Sequence, residues 1–166
     1  MFWVTVLSMC AWSCVPGFYV FRAANESAKG AACRSNLKQI SQATLLYAED
    51  HDGRLPPADR WGSAVPRQSS AILSCPTHGW ELPGYAMSWD MSSRLVRSIP
   101  DPTSAPLVFD SDLTGPNAAG SLADLPSPPR HGGTWTFDED PPHNNVAYAD
   151  GHVAHVGRDG RRSPRR

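Results

Sequence analysis

Five acidic and imidazole side chains in the C-terminal half of the sequence are of the types that bind metal ions. They are Asp110, Asp112, His131, Asp150 and His152. Carboxylate oxygens suit Ca²⁺, whereas a mixed set of histidine and aspartate suits a transition metal. Their spacing matches no established metal motif. The alternative is structural, with Asp150 serving a turn and the other two aspartates capping the end of a strand.

Histidine and aspartate could also support metal-assisted hydrolysis. However, the sequence contains no Gly-x-Ser-x-Gly elbow, no glycine-rich phosphate loop and no His-Glu-x-x-His helix motif. Lys and Arg number 15 against 16 Asp and Glu, so no overall field attracts nucleic acid. We therefore expect a protein that is not an enzyme and does not bind nucleic acid.

The elements that would position these side chains are short strands and turns, because most of the 16 prolines follow Gly53. The strongest hairpin signal is at 146–156, VAYADGHVAHV, where Asp150-Gly151 suits a type I′ turn with positive φ at both central residues. Two further segments, 84–89 and 105–110, predict strands. The proline-rich segment 116–129 predicts a surface loop.

Residues 1–21 contain no charged side chain, and as a helix they would span about 30 Å, the thickness of a bilayer's hydrocarbon core. Pro16 would kink such a helix. A retained membrane anchor, a cleaved secretory signal and a buried core helix are the three interpretations. We favour the anchor, since the segment lacks the basic start of a secretory signal.

Residues 22–52 predict an amphipathic helix that continues from the anchor, because alanine is frequent and proline is absent. Asp52-Gly53 supplies a stop signal. One apolar stripe recurs at helical spacing, formed by Leu37, Ile40, Thr44 and Tyr47. The hairpin residues expected to face this stripe are Val146, Tyr148 and Val153.

Two stretches of the sequence resemble a known bacterial family. The run CRSNLKQI at 33–40, followed by LYAED at 46–50 and LPP at 55–57, is similar to the helix after the anchor in prepilin-type pseudopilins. RHGG at 130–133 and NVAYADGHV at 145–153 resemble the same family's C-terminal His…Asp-Gly motif. The chain departs from the family in lacking the N-terminal Gly-Phe-Thr-Leu-Ile-Glu motif, and 134–143 looks like an insertion.

The resemblance implies a pilin-like α+β fold, in which a long N-terminal helix packs on a small C-terminal antiparallel sheet. The expected divisions are an anchor at 1–21, a helix at 22–52, a β-rich domain at 53–157 and a disordered basic tail at 158–166. The implied function is that of a pseudopilin-like subunit of a type II secretion or type IV pilus-like assembly. Its partners would be other pilin-like subunits or secretion apparatus proteins.

The resemblance also implies a single-pass inner-membrane protein whose C-terminal domain lies in the periplasm or cell envelope. The distribution of charge favours the opposite orientation, because the basic residues near the anchor follow it, beginning with Arg22 and Lys29. Both orientations therefore stay open at this stage.

Cys33 and Cys75 lie in the part of the chain that the family would export. A bridge between them would join the helix to the β-rich domain and close a loop of about 40 residues, worth about 4 kcal/mol in the chain-entropy model. Two unpaired thiols are the alternative. Major pseudopilins bind calcium in their C-terminal region, which makes Ca²⁺ the cation to consider for the five candidate ligands.

The alternative function is a membrane-anchored binding domain of the cell envelope, with a metal-stabilised C-terminal loop. Such a domain would use a surface rich in tryptophan. The candidate residues are Trp61, Trp80, Trp89 and Trp135, for which core packing is the ordinary explanation.

Overall fold

The computed structural model describes residues 2–64, 71–78, 83–132, 141–157 and 161, and it describes the side chains of the first helix from Tyr19 onward, except that of Ala23. Most of the 134–143 interval, and all of the expected basic tail except Arg161, lie outside these residues. One helix packs on a five-stranded sheet, which confirms the α+β class. The elements are α1 (Phe2–Asp50), β1 (Tyr85–Ser88), β2 (Pro106–Asp110), β3 (Ala119–Gly120), β4 (Asn144–Tyr148) and β5 (Val153–Val156).

Helix α1 is continuous through the boundary that the sequence places between anchor and amphipathic helix. It ends at Asp50, two residues before the predicted end, where Asp52 and Gly53 take φ values of 54° and 75°. The Gly53 N–H donates to the Ala48 carbonyl at 2.8 Å, which satisfies one of the last free carbonyls of the helix. No helix in the described part of the chain combines the length and apolar character needed to cross a membrane.

The strand order is β3-β1-β2-β4-β5. The pairs β1–β2, β2–β4 and β4–β5 are antiparallel, as expected, but β3 pairs parallel to β1, so the expectation of a purely antiparallel sheet is wrong at this edge. The Ala118 carbonyl explains the exception, because it accepts hydrogen bonds from the Met87 N–H and the Trp61 indole N–H at 2.9 and 2.8 Å. These bonds hold part of the predicted 116–129 loop beside β1 as a short strand.

The sheet has an apolar cluster on each face. On the face covered by α1, the cluster includes Cys33, Leu37, Ile40, Trp61, Cys75, Tyr85, Met87, Leu107 and Ala147. A smaller cluster on the other face comprises Ala86, Phe109, Ala118, Val146, Tyr148 and Val156. The helix therefore contributes its buried stripe to the larger core.

The predicted contact between stripe and hairpin is partly wrong. Leu37 and Ile40 are buried as expected, but Tyr47 is half-buried and stacks on the His51 ring, with 3.7 Å between the ring centroids. Successive side chains of a strand point to opposite faces. Ala147 accordingly packs with the helix, while Val146 and Tyr148 pack on the far side of the sheet.

The β4–β5 connection is a three-residue loop, 149–151, and not the predicted type I′ turn. Gly151 has a φ of 82°, whereas Asp150 lies outside the left-handed region. The Gly151 N–H donates to the Tyr148 carbonyl at 2.8 Å, and the Tyr148 N–H donates to the His152 carbonyl at 2.9 Å. This pattern is a type I turn followed by a glycine bulge. The loop before β2 favours this turn type, because the Ala105 and Pro102 carbonyls accept hydrogen bonds from the N–H groups of residues 149 and 150.

A tight backbone crossing at Gly84 leads to the first prediction. A Cβ added to Gly84 would lie 2.5 Å from the Cys75 Cβ and 2.7 Å from the Cys75 nitrogen. The clash is with the backbone and Cβ of Cys75, so the rotation of a flexible side chain cannot relieve it. Gly84→Ala should lower the free energy of unfolding by about 1–3 kcal/mol in urea denaturation.

Gly30→Ala is the matched control, because a Cβ at this helical position would make only an ordinary contact, 3.7 Å from His131 Nδ1. It should raise the free energy of unfolding by up to about 1 kcal/mol, through helix propensity. Equal stability of the two variants would contradict the close crossing.

Candidate functional site

Cys33 and Cys75 form a disulfide, with 5.1 Å between their Cα atoms. Both cysteines are fully buried. Of the two alternatives that the sequence leaves open, the structure therefore contains the bridge. It ties α1 to the segment that precedes β1. The Tyr85 hydroxyl adds a second tie, since it donates to the Cys33 carbonyl at 3.1 Å.

Asp110, at the end of β2, is fully buried and lies beside this bridge region. Its Oδ2 accepts hydrogen bonds from the Asn145 backbone N–H at 2.6 Å and from the Asn145 side-chain amide at 3.2 Å. His131 Nε2 lies 3.0 Å from the same oxygen. An ionised carboxylate only accepts hydrogen bonds, so Nε2 of His131 carries a proton and a neutral ring keeps its lone pair on Nδ1.

The second ring nitrogen of His131 faces away from Asp110 and toward the disulfide. His131 Nδ1 lies 3.5 Å from the Thr77 hydroxyl, which lies 3.6 Å from Cys33 Sγ. A ring nitrogen of His131 and the two cysteine sulfurs all lie within 4.8 Å of one another. A buried carboxylate, an imidazole and two sulfur atoms therefore stand in sequence across the interface of sheet and helix.

Arg130 anchors the same region from the other side. Its guanidinium donates to the carbonyls of Gly84 and Ser111, each at 2.8 Å, and it pairs with the Asp112 carboxylate. The Arg130 backbone N–H donates to the Asn144 side-chain oxygen at 2.9 Å. The two stretches that carry the family resemblance, around 130 and 145, thus meet at the ends of β2 and β4.

Tyr85 is paired with Asp110 across β1 and β2. Burial of the Tyr85 hydroxyl raises its pKa well above the ordinary value, and the negative charge of Asp110 raises it further. The hydroxyl therefore stays protonated and keeps donating to Cys33. In this cluster Tyr85 acts as a hydrogen-bond donor and not as a proton-transfer group.

Asp150 and His152 form a separate pair in the β4–β5 loop. Asp150 Oδ1 accepts from the His152 N–H at 3.0 Å and contacts the His152 ring, which stacks on Tyr148. Desolvation alone would raise the pKa of Asp150, but the hydrogen bonds and charge of His152 outweigh it, so the pKa lies below its ordinary value. Lys38 of α1 donates to the Gly151 carbonyl, which docks the loop on the helix.

The five predicted ligands therefore do not converge on one point. Asp110 pairs with His131, Asp112 pairs with Arg130, and Asp150 pairs with His152. Asn145, which touches Asp110, lies near the start of β4, whereas Asp150 lies in the loop after Tyr148, and the strand between Asn145 and Tyr148 alone spans about 10 Å. The structure thus places the five candidate ligands in three separate pairs and not in one cluster.

Among the described residues, the one buried carboxylate is that of Asp110, and its surroundings offer few side-chain oxygens to calcium. Among the described side chains, only Asp110 Oδ1 and Asn145 Oδ1 are buried polar atoms without a hydrogen-bond partner. Ca²⁺ takes about six to eight oxygen ligands. The cluster is instead built from hydrogen-bond donors that converge on a carboxylate, which is the pattern of a structural anion.

The tryptophans do not form one surface in the described part of the chain. Trp61 is buried and its indole N–H donates to the Ala118 carbonyl at 2.8 Å, so core packing accounts for it. Trp89 is 59% exposed. Trp80 and Trp135 lie outside the described residues.

Sequence reasoning found Asp110 and His131 but missed Asn145, Thr77 and the link from His131 to the cysteines. The signal for Asn145 was present, because it opens the NVAYADGHV stretch. Only the pairing of β2 with β4 shows that its backbone N–H reaches Asp110. Nothing in the local sequence places residue 77 beside the helix.

Asp110 and Asp112 offer a matched test, because they pair with the consecutive residues His131 and Arg130. Asp110→Ala should lower the free energy of unfolding by about 3 kcal/mol or more, since it strands buried donors. Asp112→Ala should cost less than about 1 kcal/mol, because its side chain is 56% exposed and Arg130 keeps two carbonyl acceptors. Urea denaturation measures both, and equal losses would contradict the buried-anion interpretation.

No protein-family model matches this sequence, and no curated protein or solved structure matches it.

Proposed function

We propose that this chain is a non-enzymatic, pseudopilin-like subunit of a bacterial envelope assembly of the type II secretion or type IV pilus kind. Its N-terminal helix would be the assembly element. The supporting observation is that α1 is 49 residues long, about 74 Å, yet Cys33 is the first of its described side chains to be buried. The part of the helix before Gly30, where α1 meets His131, projects from the sheet and buries none of its described side chains.

The described start of the projecting helix is apolar and exposed. Tyr19, Val20 and Phe21 are 64%, 58% and 71% exposed. Burying one such side chain contributes about 1.5–3 kcal/mol, so a bilayer or other helices would be favourable surroundings. Small side chains follow at Ala24, Ala28, Ala31 and Ala32, and these allow another helix to approach closely.

The site chemistry supports a structural protein. His131 and Asp110 are both buried, and the sulfur atoms next to the ring are joined in a disulfide, so neither thiolate is free to act as a nucleophile. The same contacts fasten α1 to the sheet. A filament subunit needs its helix firmly attached to its domain. A hydrolytic site, in contrast, needs access to substrate.

We propose inner-membrane insertion through residues 1–21, with the domain on the envelope side. The disulfide favours this side, because disulfides persist in oxidising compartments such as the bacterial periplasm. Other pilin-like subunits or secretion apparatus proteins would then be the partners. The alternative is an anchored binding domain of the envelope, which the exposed Trp89 favours.

Photo-crosslinking in native membranes tests the assembly. A benzophenone amino acid at Val20 should give crosslinked protein dimers and higher species, because the projecting helix would contact other helices. Leu46 is the matched control, since it is also 58% exposed but lies on the half of α1 that packs on the sheet. The same amino acid at position 46 should give no crosslinked protein species, because this half of the helix would not face other subunits.

Lipid adducts alone at Val20 would support an anchor but contradict assembly through this helix, and the envelope binding domain would then be preferred. Equal crosslinking to proteins from both positions would also contradict the proposal, because it would show no preference for the projecting half.

A further inference from the structure

The cluster at Cys33, Cys75 and His131 is built from three side chains that are soft or borderline metal ligands. We propose that, once the disulfide is reduced, the two thiolates and Nδ1 of His131 form a binding site for Zn²⁺. The helix and the sheet would then be tied at the same point by a covalent bond in the oxidised protein and by a metal ion in the reduced protein. This inference does not depend on the proposed assembly function.

The distances suit zinc after a small movement of side chains. A ring nitrogen of His131 and the two cysteine sulfurs lie within 4.8 Å of one another. Tetrahedral Zn²⁺, with bonds of about 2.3 Å to sulfur and about 2.0 Å to nitrogen, places its ligand atoms roughly 3.5–3.8 Å apart. The sulfurs need to separate from their bonded distance and the imidazole needs to approach them. Once the S–S bond is broken, each cysteine side chain can rotate about its Cα–Cβ bond, which separates the sulfurs.

His131 already has the orientation that a zinc ligand requires. Metal-binding histidines usually donate their second ring N–H to a carboxylate, which fixes the tautomer and makes the ligating nitrogen more basic. Here Nε2 lies 3.0 Å from Asp110 Oδ2, and the Asn145 N–H holds that oxygen at 2.6 Å. The remaining nitrogen, Nδ1, faces the side on which Thr77 and the sulfur of Cys33 lie.

The site lies just beneath the surface. Cys33, Cys75 and His131 are buried, but Thr77 is half-buried and its hydroxyl contacts both Cys33 Sγ and His131 Nδ1. Thr77 therefore marks the side from which an ion would enter. A fourth ligand would come from water on this side, which completes the tetrahedron.

The chemistry balances with an external dithiol as the reductant. The disulfide gains two electrons and two protons, its S–S bond breaks and two thiols form, while the dithiol becomes a disulfide. Zn²⁺ then displaces the two thiol protons into solvent as two Zn–S bonds form. Neutral His131 supplies a lone pair, so two thiolate charges cancel the charge of the ion.

Titration of the reduced full-length protein with Co²⁺ is the experiment, because thiolate-bound Co²⁺ absorbs in the near ultraviolet. The wild-type protein should show this absorption with one equivalent of Co²⁺ and lose it with one equivalent of Zn²⁺. The oxidised protein should show none. His131→Ala should weaken binding at least tenfold, whereas His152→Ala, which removes another carboxylate-paired imidazole, should leave it unchanged.

X-ray absorption at the zinc edge gives a readout that needs no variant. The reduced wild-type protein should show two sulfur ligands at about 2.3 Å and at least one nitrogen at about 2.0 Å. If reduction unfolds the chain, Zn²⁺ should restore the helical circular dichroism of the wild-type and His152→Ala proteins. Circular dichroism of oxidised His131→Ala checks that this variant folds.

Three results would overturn the proposal. One is the absence of thiolate absorption in the reduced protein, and another is equal Co²⁺ affinity of wild type and a folded His131→Ala. The third is binding by a reduced chain that Zn²⁺ leaves unfolded, which would show cysteine chelation without the site.

Discussion

The buried carboxylate of Asp110 is the constraint on which the rest of the structure depends. A charge removed from water is costly unless donors converge on it, and here those donors come from His131 and Asn145. Neither donor is near Asp110 in the sequence. The chain therefore reaches its lowest free energy only when β4 lies beside β2 and the turn at 130–131 closes over the end of both strands.

The same carboxylate couples the sheet to the helix. His131, held by Asp110, lies against the bridge that joins Cys33 to Cys75, and Tyr85, the partner of Asp110 across the sheet, donates to the Cys33 carbonyl. The burial of the α1 side chains consequently changes at position 33. After it the helix packs its stripe into the core, and before it the described side chains are exposed or half-buried. The disulfide therefore marks the point from which α1 is attached to the sheet.

Much of the fold could be predicted because the relevant signals are local. The helical stripe at Leu37 and Ile40, the stop at Asp52-Gly53 and the strand at 105–110 each follow from spacing or backbone preference within a few residues. The turn type at Asp150-Gly151 could not, because the N–H groups of residues 149 and 150 donate to the carbonyls of Ala105 and Pro102, and these bonds select a three-residue loop. Strand β3 was missed for the same reason, since Ala118 is fixed by Trp61 and Met87.

The candidate site divides in the same way. Residue type pointed to Asp110, His131 and the cysteines, but their grouping depends on strand order, which sequence spacing does not encode. Asp150 and His152 share residue types with the buried pair and yet only shape a loop, because the chain that runs along β4 carries them away from Asp110. Residue types thus identified the candidate site residues, and the pairing of strands distant in sequence determined which of these residues are in contact.

Hydrogen exchange read by mass spectrometry tests the division of α1 at Cys33 most directly. In detergent-dispersed monomer, amides of 34–48 should exchange at least about 100-fold more slowly than those of 22–32, because none of the described side chains at 22–32 is buried. In native membranes the 22–32 amides should become protected while 34–48 stay unchanged. Equal protection of both halves in the monomer, or no gain in amide protection at 22–32 in the membrane, would contradict a helix whose second half packs on the sheet and whose first half mediates assembly.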